Sequence, residues 1–460
     1  MIPGTTRTLL RDLVPEGAAA AAEADPEVAR VKSSAEMVTA IEPAVRLYEE
    51  PPSEGLLVQT DEADVWVSPG DWAEAFDAPE PGTPHNEALD QVWDALLSDL
   101  VDEHEEGDDR EASPDRLRRA LRHNEELVTT LNRAWTLIEP TDLVGDLWSV
   151  PAYLRRCAPW LTADEVRKLQ RDDAQAWTVA DLPLLDAARQ RLGDPEASRR
   201  HQRRAAIVAA DRAYMDRVVE DLLAADDDGE GLAQALRQQD LRDALVDEAA
   251  LPSADPDRLA GPFAHIVVDE AQELTDAEWQ MLLRRCPSRS FTIVGDRSQA
   301  RHGFTESWQE RLERVGFDPI EIASLSINYR TPAEIMAEAE PVIRAVFPDA
   351  NVPTSVRTTG VPVGHRKMSE LGAILDAWLE TNPEGIACVI GTRDGRTVTP
   401  SSRVRTLTPE DVKGLEFDLV VLIDPDTFGS DGRERGIEGT VDRYVSMTRA
   451  TQQLVLLTNG

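Results

Sequence analysis

Ile266-Val267-Val268-Asp269-Glu270-Ala271-Gln272 is the stretch whose reading decides the fold. It is a strand-like apolar run closed by two carboxylates. Apolar runs of this kind recur after it, with helical stretches between most of them: His265–Val268, Phe291–Val294, Glu321–Ser326, Ile386–Ile390, Leu419–Ile423 and Leu454–Leu457. Short apolar runs alternating with helices predict a parallel sheet covered on both faces. In open sheets of that class, ligands bind beyond the C-terminal ends of the strands. Asp269 is placed there to hold Mg²⁺, directly or through water, and Glu270 to orient or deprotonate an attacking water. Phosphoryl transfer needs that pairing. Alone the run says little, because acidic residues often end strands.

The neighbouring strings add weight. Gly295-Asp296-Arg297-Ser298-Gln299 closes the run Phe291–Val294. Asn328-Tyr329-Arg330, Lys413-Gly414-Leu415-Glu416-Phe417 and Ser446-Met447-Thr448-Arg449-Ala450 follow in order. Gln299 is placed to touch a γ-phosphate, while Arg330 and Arg449 are candidate arginine fingers. Such groups are worth roughly 10³–10⁵ in rate. An isolated Arg is more often a surface salt-bridge partner, so the argument lies in the strings.

Upstream the texture differs. A helical pattern runs from Pro26 through Met37, Ile41, Val45 and Tyr48, with Pro43 expected to kink or split it. Leu56-Leu57-Val58 and Val65-Trp66-Val67 read as two short strands around an Asp61–Asp64 turn. Residues 91–258 read as almost wholly helical. Thr162 and Glu165 form a capping-box pattern. Asp102–Glu111 is a like-charge block expected to be a loop or tip, and a second acidic spot lies at Asp226–Asp228.

The whole chain has 460 residues, enough for two to four domains, and 41% of them are hydrophobic. No run approaches the length of a membrane span, and no secretory signal is recognisable. Cys157, Cys286 and Cys388 lie far apart without metal spacing, which suits a reducing cytoplasmic setting. The formal net charge of −38 is the reverse of what phosphate neutralisation by a nucleic-acid binder requires. It suits a basic partner. An acidic surface is equally the mark of a halotolerant or high-GC proteome.

Taken together, the strings resemble motifs II (Val267–Gln272), III (Gly295–Gln299), IV (Asn328–Arg330), V (Lys413–Asp418) and VI (Tyr444–Ala450) of the superfamily 1 helicase-like ATPases of the UvrD/Rep kind. They span roughly 190 residues in the family order. The resemblance implies an α/β protein with two RecA-like lobes, parallel sheets, and ATP with Mg²⁺ between the lobes. It implies catalytic roles for Glu270, Gln299, Arg330 and Arg449. It also implies nucleotide contacts from Asp269, Gln272, Gly414 and Glu416, with Mg²⁺ on Asp269.

Three departures separate the chain from the DNA-unwinding members. Only about eighty residues lie between Arg330 and Lys413, with no room for their large inserted subdomain. The string after Gln299, Ala300-Arg301-His302-Gly303-Phe304, has a His where those helicases place the aromatic residue that stacks on a base, a contact worth roughly 1–3 kcal/mol, and the His weakens the case for stacking. The large insertion precedes motif II and is helical and acidic. In these features the chain is similar to the HelD/HelR type, ATPases that bind RNA polymerase and recycle it. Trp177–Leu185 and Leu161–Glu165 belong to that likeness. A negatively charged tip can occupy a basic polymerase channel, and Asp102–Glu111 is the candidate tip, with a solvated loop as the equal alternative.

The expected organisation is a first-lobe remnant at 1–90, a helical acidic insertion at 91–258, the rest of the first lobe at 259–318 and a second lobe at 319–460. No phosphate loop G-x-x-x-x-G-K-[ST] occurs anywhere from Met1 to Gly460. Its Lys and backbone N–H groups would cradle the phosphates. The expectation is therefore an N-terminally incomplete version of the motor, inactive by itself. Three functions stay open: the ATPase portion of a polymerase-recycling motor, a fragment of a 3′–5′ DNA helicase, and a polymerase-binding module without ATPase activity.

Overall fold

In the computed structural model the described residues are 20–106, 113–194, 261–300, 304, 306–391, 401–428 and 437–458. They fall into two compact units, one made of residues up to Pro262 with Thr275–Arg285, the other of Phe263–Leu274 with Cys286 onward. The expected tip residues 107–111, the acidic spot 226–228 and the rest of 195–260 lie outside the described residues.

The first unit is helical around one hairpin. Its helices are α1 (Pro26–Lys32), α2 (Ala35–Thr39), α3 (Ile41–Arg46), α4 (Pro69–Asp77), α5 (His85–Glu106), α6 (Pro114–His123), α7 (Glu125–Ala134), α8 (Pro140–Ser149), α9 (Pro151–Cys157), α10 (Ala163–Leu169), α11 (Leu182–Leu192) and α12 (Asp276–Arg285). The hairpin pairs β1 (Leu56–Gln59) with β2 (Asp64–Val67), antiparallel. Its turn is held by Thr60 Oγ1, which donates to Ala63 O at 2.7 Å.

The split expected at Pro43 is present: α2 ends at Thr39 and α3 begins at Ile41, with Ala40 between them and Pro43 in the first turn of α3, where its missing N–H costs no intrahelical bond. A second break, not expected, falls at Ser33–Ser34, where Ser34 Oγ caps α2 by accepting from Met37 N. The like-charge block also differs from expectation, since Asp102 to Glu106 continue α5 rather than forming a loop. The Thr162–Glu165 capping box is formed, opening α10.

Two clusters fill this unit. One gathers Met37, Ile41, Leu147, Trp148, Leu184 and Met281. The other gathers Val58, Trp72, Leu96, Leu100, Leu117 and Trp135. Hydrophobic packing thus runs across position 90, where a boundary was expected. Residues 20–90 supply short helices and an antiparallel hairpin rather than parallel strands.

The second unit contains β3 (Ile266–Val268), β4 (Phe291–Ile293), β5 (Ile327–Asn328), β6 (Thr354–Ser355), β7 (Gly364–Lys367), β8 (Ala387–Ile390), β9 (Val404–Leu407), β10 (Phe417–Ile423) and β11 (Ala450–Thr458). Its helices are α13 (Trp308–Val315), α14 (Ala333–Arg344), α15 (Leu371–Thr381) and α16 (Ile437–Met447). A five-stranded sheet runs β7-β11-β10-β8-β9, parallel throughout. Val420 and Leu422 pack on one face with Ile335, Ile343 and Val445. Leu419, Val421 and Ile423 pack on the other with Leu371, Leu375 and Trp378. This is the doubly covered parallel sheet that the apolar runs predict.

β3 and β4 form a separate two-stranded parallel ribbon within the same unit. Two lobes were expected, but the described part of the first is this ribbon, and three-residue strands are too short to build a core of their own. Glu321–Ser326 is not a strand. Only its last residue meets a ladder, Ser326 O accepting from Thr354 N at 2.8 Å beside β5, and Ile322 and Leu325 are 51% and 79% exposed. No described helix is long and apolar enough to cross a membrane.

Candidate functional site

The expected site residues all lie in the second unit, and most converge. β3 ends at Val268, and Glu270 takes a left-handed conformation, φ 51 and ψ 39. A non-glycine residue there is strained by roughly 1–2 kcal/mol. The turn brings Ala271 N to Val294 O at 3.0 Å, tying the end of β3 to the end of β4.

From there a hydrogen-bonded chain crosses three of the sequence strings. Gln272, 6% exposed, donates from Nε2 to Glu270 Oε2 at 2.6 Å and accepts at Oε1 from Asp296 N at 3.1 Å. Asp296 Oδ2 accepts from Gln299 Nε2 at 2.9 Å. Gln299 Oε1 accepts from Arg449 Nη2 at 2.7 Å. Each amide uses both its donor and its acceptor, so the carboxylate of Glu270 is connected to a guanidinium supplied by the segment before β11.

Arg449 is the unusual member. It is 4% exposed, and its bonds go to the Gln299 amide and to Val445 O at 3.3 Å. No carboxylate lies within ion-pair distance of it among the described residues. Burial, then the nearby Arg330 charge, push its guanidinium below the ordinary arginine range, while the Glu270, Glu416 and Asp296 charges act in the opposite direction. An arginine stays protonated at any working pH, so the site holds a buried positive charge without a contacting counter-charge.

Arg330 and Glu416 pair at 2.7 Å, both about half exposed. Asn328 Oδ1 shapes the turn before Arg330 by accepting from Arg330 N and Thr331 N, and Thr331 Oγ1 reaches Thr448 O at 3.2 Å. Gly414 adopts φ +72 in the turn that leads to Glu416, a conformation costly for any residue with a Cβ. Among the described residues the Asp269 carboxylate bonds only its neighbour, its Oδ1 accepting from Glu270 N at 2.9 Å. Asp269 Oδ2 and Glu270 Oε1 have no partner among the described residues, so oxygens of both carboxylates are available.

The donor set suits Mg²⁺ better than a closed metal cage. Among the described residues there is no group of three or more metal-ligating side chains. Mg²⁺ is usually held by one or two carboxylates, its remaining positions filled by water and phosphate oxygens. Asp269 could supply that carboxylate.

Sequence reasoning missed Asp296 as a side-chain connector, and missed Glu273 altogether. Glu273 Oε1 pairs with Lys413 Nζ at 2.6 Å, and Lys413 also reaches Gln299 O at 3.5 Å. Asp296 carried a signal, since it occurs in the quoted string as a strand-end acid. Glu273 carried none, because its partner is 140 positions away.

No protein-family model matches the chain, and no curated protein matches it in sequence. Among solved structures it is similar to the C-terminal domain of a possible DNA helicase from Lactobacillus plantarum WCFS1, at 14% identity and TM-score 0.22, over 29% of this chain and 88% of that one. It is also similar to the PRRSV helicase, at 16% identity and TM-score 0.27, over 46% of this chain and 40% of that one. Arterivirus nonstructural protein 10, a helicase, gives 16% identity and TM-score 0.25, over 42% and 38%. Superpositions this loose carry no argument, and the functional reading rests on the geometry above.

Proposed function

We propose that the second unit is the nucleotide-hydrolysing part of a helicase-like ATP-driven motor. The observation that carries this reading is Arg449, a buried cation joined through Gln299, Asp296 and Gln272 to Glu270. A desolvated guanidinium bonded only to neutral groups leaves its charge for an incoming anion. Polyphosphate is such an anion, and strand ends bearing Asp269 and Glu270 are where it would meet Mg²⁺ and a water to attack it.

In this scheme Asp269 holds the metal, and Glu270 orients and deprotonates the water. Its carboxylate is aligned by the Gln272 amide. Gln299 holds Arg449 against the transferring phosphate, and Arg330 exchanges its Glu416 partner for phosphate oxygens. Gly414 keeps the turn that presents Glu416. The sequence has no phosphate loop, so the chain alone is expected to hydrolyse ATP poorly. Fused to a strand carrying G-x-x-x-x-G-K-T, it should hydrolyse ATP, and Glu270→Gln in that fusion should lower turnover by about 10²–10⁴-fold. Unchanged turnover would remove the role given to Glu270.

The finer reading is a motor of the HelD/HelR kind acting on RNA polymerase. The net charge of −38 supports a basic partner over DNA. Capture of purified RNA polymerase, weakened as salt rises, is the expected result. ATPase stimulated by DNA, with no polymerase capture, would favour the DNA-helicase alternative. Polymerase capture by a fusion that stays inactive would favour a binding module.

A further inference from the structure

Arg330 and Arg449 bring two like charges to one site. Burial first, and the Arg330 charge second, push the Arg449 guanidinium below the ordinary arginine range, so the two cations act on each other. Arg330 is held at its tip by Glu416, but both of those side chains are about half exposed. A pair that open to water holds a long side chain loosely. The spacing of the two arginines therefore has to come from the backbone.

The turn that carries Arg330 is fixed by Thr331, which is 2% exposed and has each of its polar groups bonded. Its N–H donates to Asn328 Oδ1 at 3.1 Å, and its carbonyl accepts from Ser355 Oγ at 2.5 Å. Its hydroxyl donates to Thr448 O at 3.2 Å. A Thr hydroxyl near a helix start commonly bonds the local backbone. α14 begins two residues after Thr331 and has no side-chain cap bond. The hydroxyl goes instead to a carbonyl 117 positions away. Thr448 O belongs to the peptide group that Arg449 N completes. One bond thus joins the residue after Arg330 to the residue before Arg449. Both ends rest on packed helices, because α14 and α16 share an apolar cluster through Ile335, Ile343, Val441 and Val445. Thr448 Oγ1 also donates to Val445 O at 2.9 Å.

We propose that Thr331 is a positioning residue: its hydroxyl bond to Thr448 O keeps the Arg330 turn beside Arg449, so that both guanidiniums meet one polyphosphate anion. The inference rests on the nucleotide reading above. Two fixed cations repel each other on their own and are both satisfied by a shared anion. Holding them together beforehand removes the cost of gathering them at binding. Without the hydroxyl the turn is free to swing out, and repulsion between the guanidiniums favours that movement.

The test uses the full chain labelled with [¹⁵N]arginine. The Arg449 Nε–H signal is the one lost in Arg449→Gln. Its exchange with water is compared in Thr331→Val, which keeps the shape, and Thr331→Ser, which keeps the hydroxyl. Exchange should quicken about fivefold to tenfold in Thr331→Val, the worth of one neutral hydrogen bond, and stay near the unmodified rate in Thr331→Ser. Inorganic tripolyphosphate with Mg²⁺ is titrated into the same proteins, and its affinity should fall by a similar factor in Thr331→Val alone. Unchanged exchange in Thr331→Val would overturn the proposal. So would an equal change in Thr331→Ser, because shape rather than the hydroxyl would then hold Arg449. An Arg449 signal that exchanges freely in the unmodified chain would overturn it as well. The nucleotide reading fails separately. If Arg449→Gln binds tripolyphosphate as tightly as the unmodified chain, the anion role is lost, while faster exchange in Thr331→Val still shows that the hydroxyl holds Arg449. Tripolyphosphate binding that needs Arg449 but ignores Thr331→Val would leave the nucleotide reading and sink the positioning role.

Discussion

Gly295 shows how little space the site leaves. A Cβ there would lie 2.8 Å from the Trp308 ring and 2.9 Å from Gln272 Oε1. Gln272 Oε1 is the atom that accepts from Asp296 N, so Gly295→Ala would push the amide off its partner. The expected cost is about 1–3 kcal/mol in urea unfolding. Loss of nucleotide affinity should accompany it in the phosphate-loop fusion. An unchanged urea midpoint would mean that Trp308 and Gln272 yield freely. Two of the thiols behave differently because burial outweighs the charges that would favour their ionisation. Burial pushes Cys157 up to about 11 and Cys388 up to about 12, and the nearby Arg156 and Arg405 charges offset little of it. Both are 0% exposed. Alkylation at pH 8 should therefore be slow in the native protein and fast in urea. At this scale the sequence made Glu270, Gln299 and Arg449 legible as members of ordered strings. That Gln272 and Asp296 join them was not legible, because a side-chain bond across 24 positions leaves no local pattern.

Among the elements, legibility follows the chemistry of burial. β8, β10 and β11 each contain a continuous apolar run, Ala387–Ile390, Leu419–Ile423 and Leu454–Leu457, because both faces of their sheet are covered, and such runs are visible in a sequence. β7, Gly364–Lys367, is an edge strand with three exposed residues, and β9 contributes one buried residue, so neither carries a hydrophobic signature. The run Glu321–Ser326 has the reverse problem. Its composition is that of a strand, but a strand is defined by a partner, and the described residues offer a backbone one only to Ser326, from Thr354 N. Helix pairing has its own long-range determinants. Asp186 on α11 and Arg285 on α12 form a bidentate pair at 2.5 and 2.6 Å, with side chains 1% and 3% exposed. Removing one partner strands the other charge in a dry site. Asp186→Ala should therefore destabilise the first unit by about 3–5 kcal/mol in urea, a loss typical of broken buried pairs. A loss under about 1 kcal/mol, the ordinary worth of a surface pair, would mean that water reaches Arg285.

Over the whole molecule, acid sets two effects against each other. Protonating carboxylates relieves the self-repulsion of a chain at −38. It also removes carboxylates that the fold holds ionised. Glu49 and Glu42 are the clearest in the first unit. Burial alone would raise both. For Glu49 the His85 hydrogen bond and the Arg191 charge outweigh burial, and for Glu42 the Arg191 and Arg46 hydrogen bonds do, so both sit below the usual 4.5. A carboxyl lowered in the folded state stabilises it above the unfolded value, and the contribution is lost as pH falls through the folded value. The loss therefore begins near pH 4.5 and deepens below it. At about 0.15 M salt the screening length is about 8 Å, so distant repulsions are muted while contact pairs persist. The pairs then decide the outcome, and stability should fall steeply below pH 4.5. Arg191→Gln separates the two effects. Arg191 bonds Glu42 at 2.8 Å and Glu49 at 2.9 Å. Its loss should lower the urea midpoint at pH 7 and narrow the gap to the unmodified protein between pH 4.5 and 3. A gap that stays constant across that window would show that neither carboxylate is held ionised by Arg191.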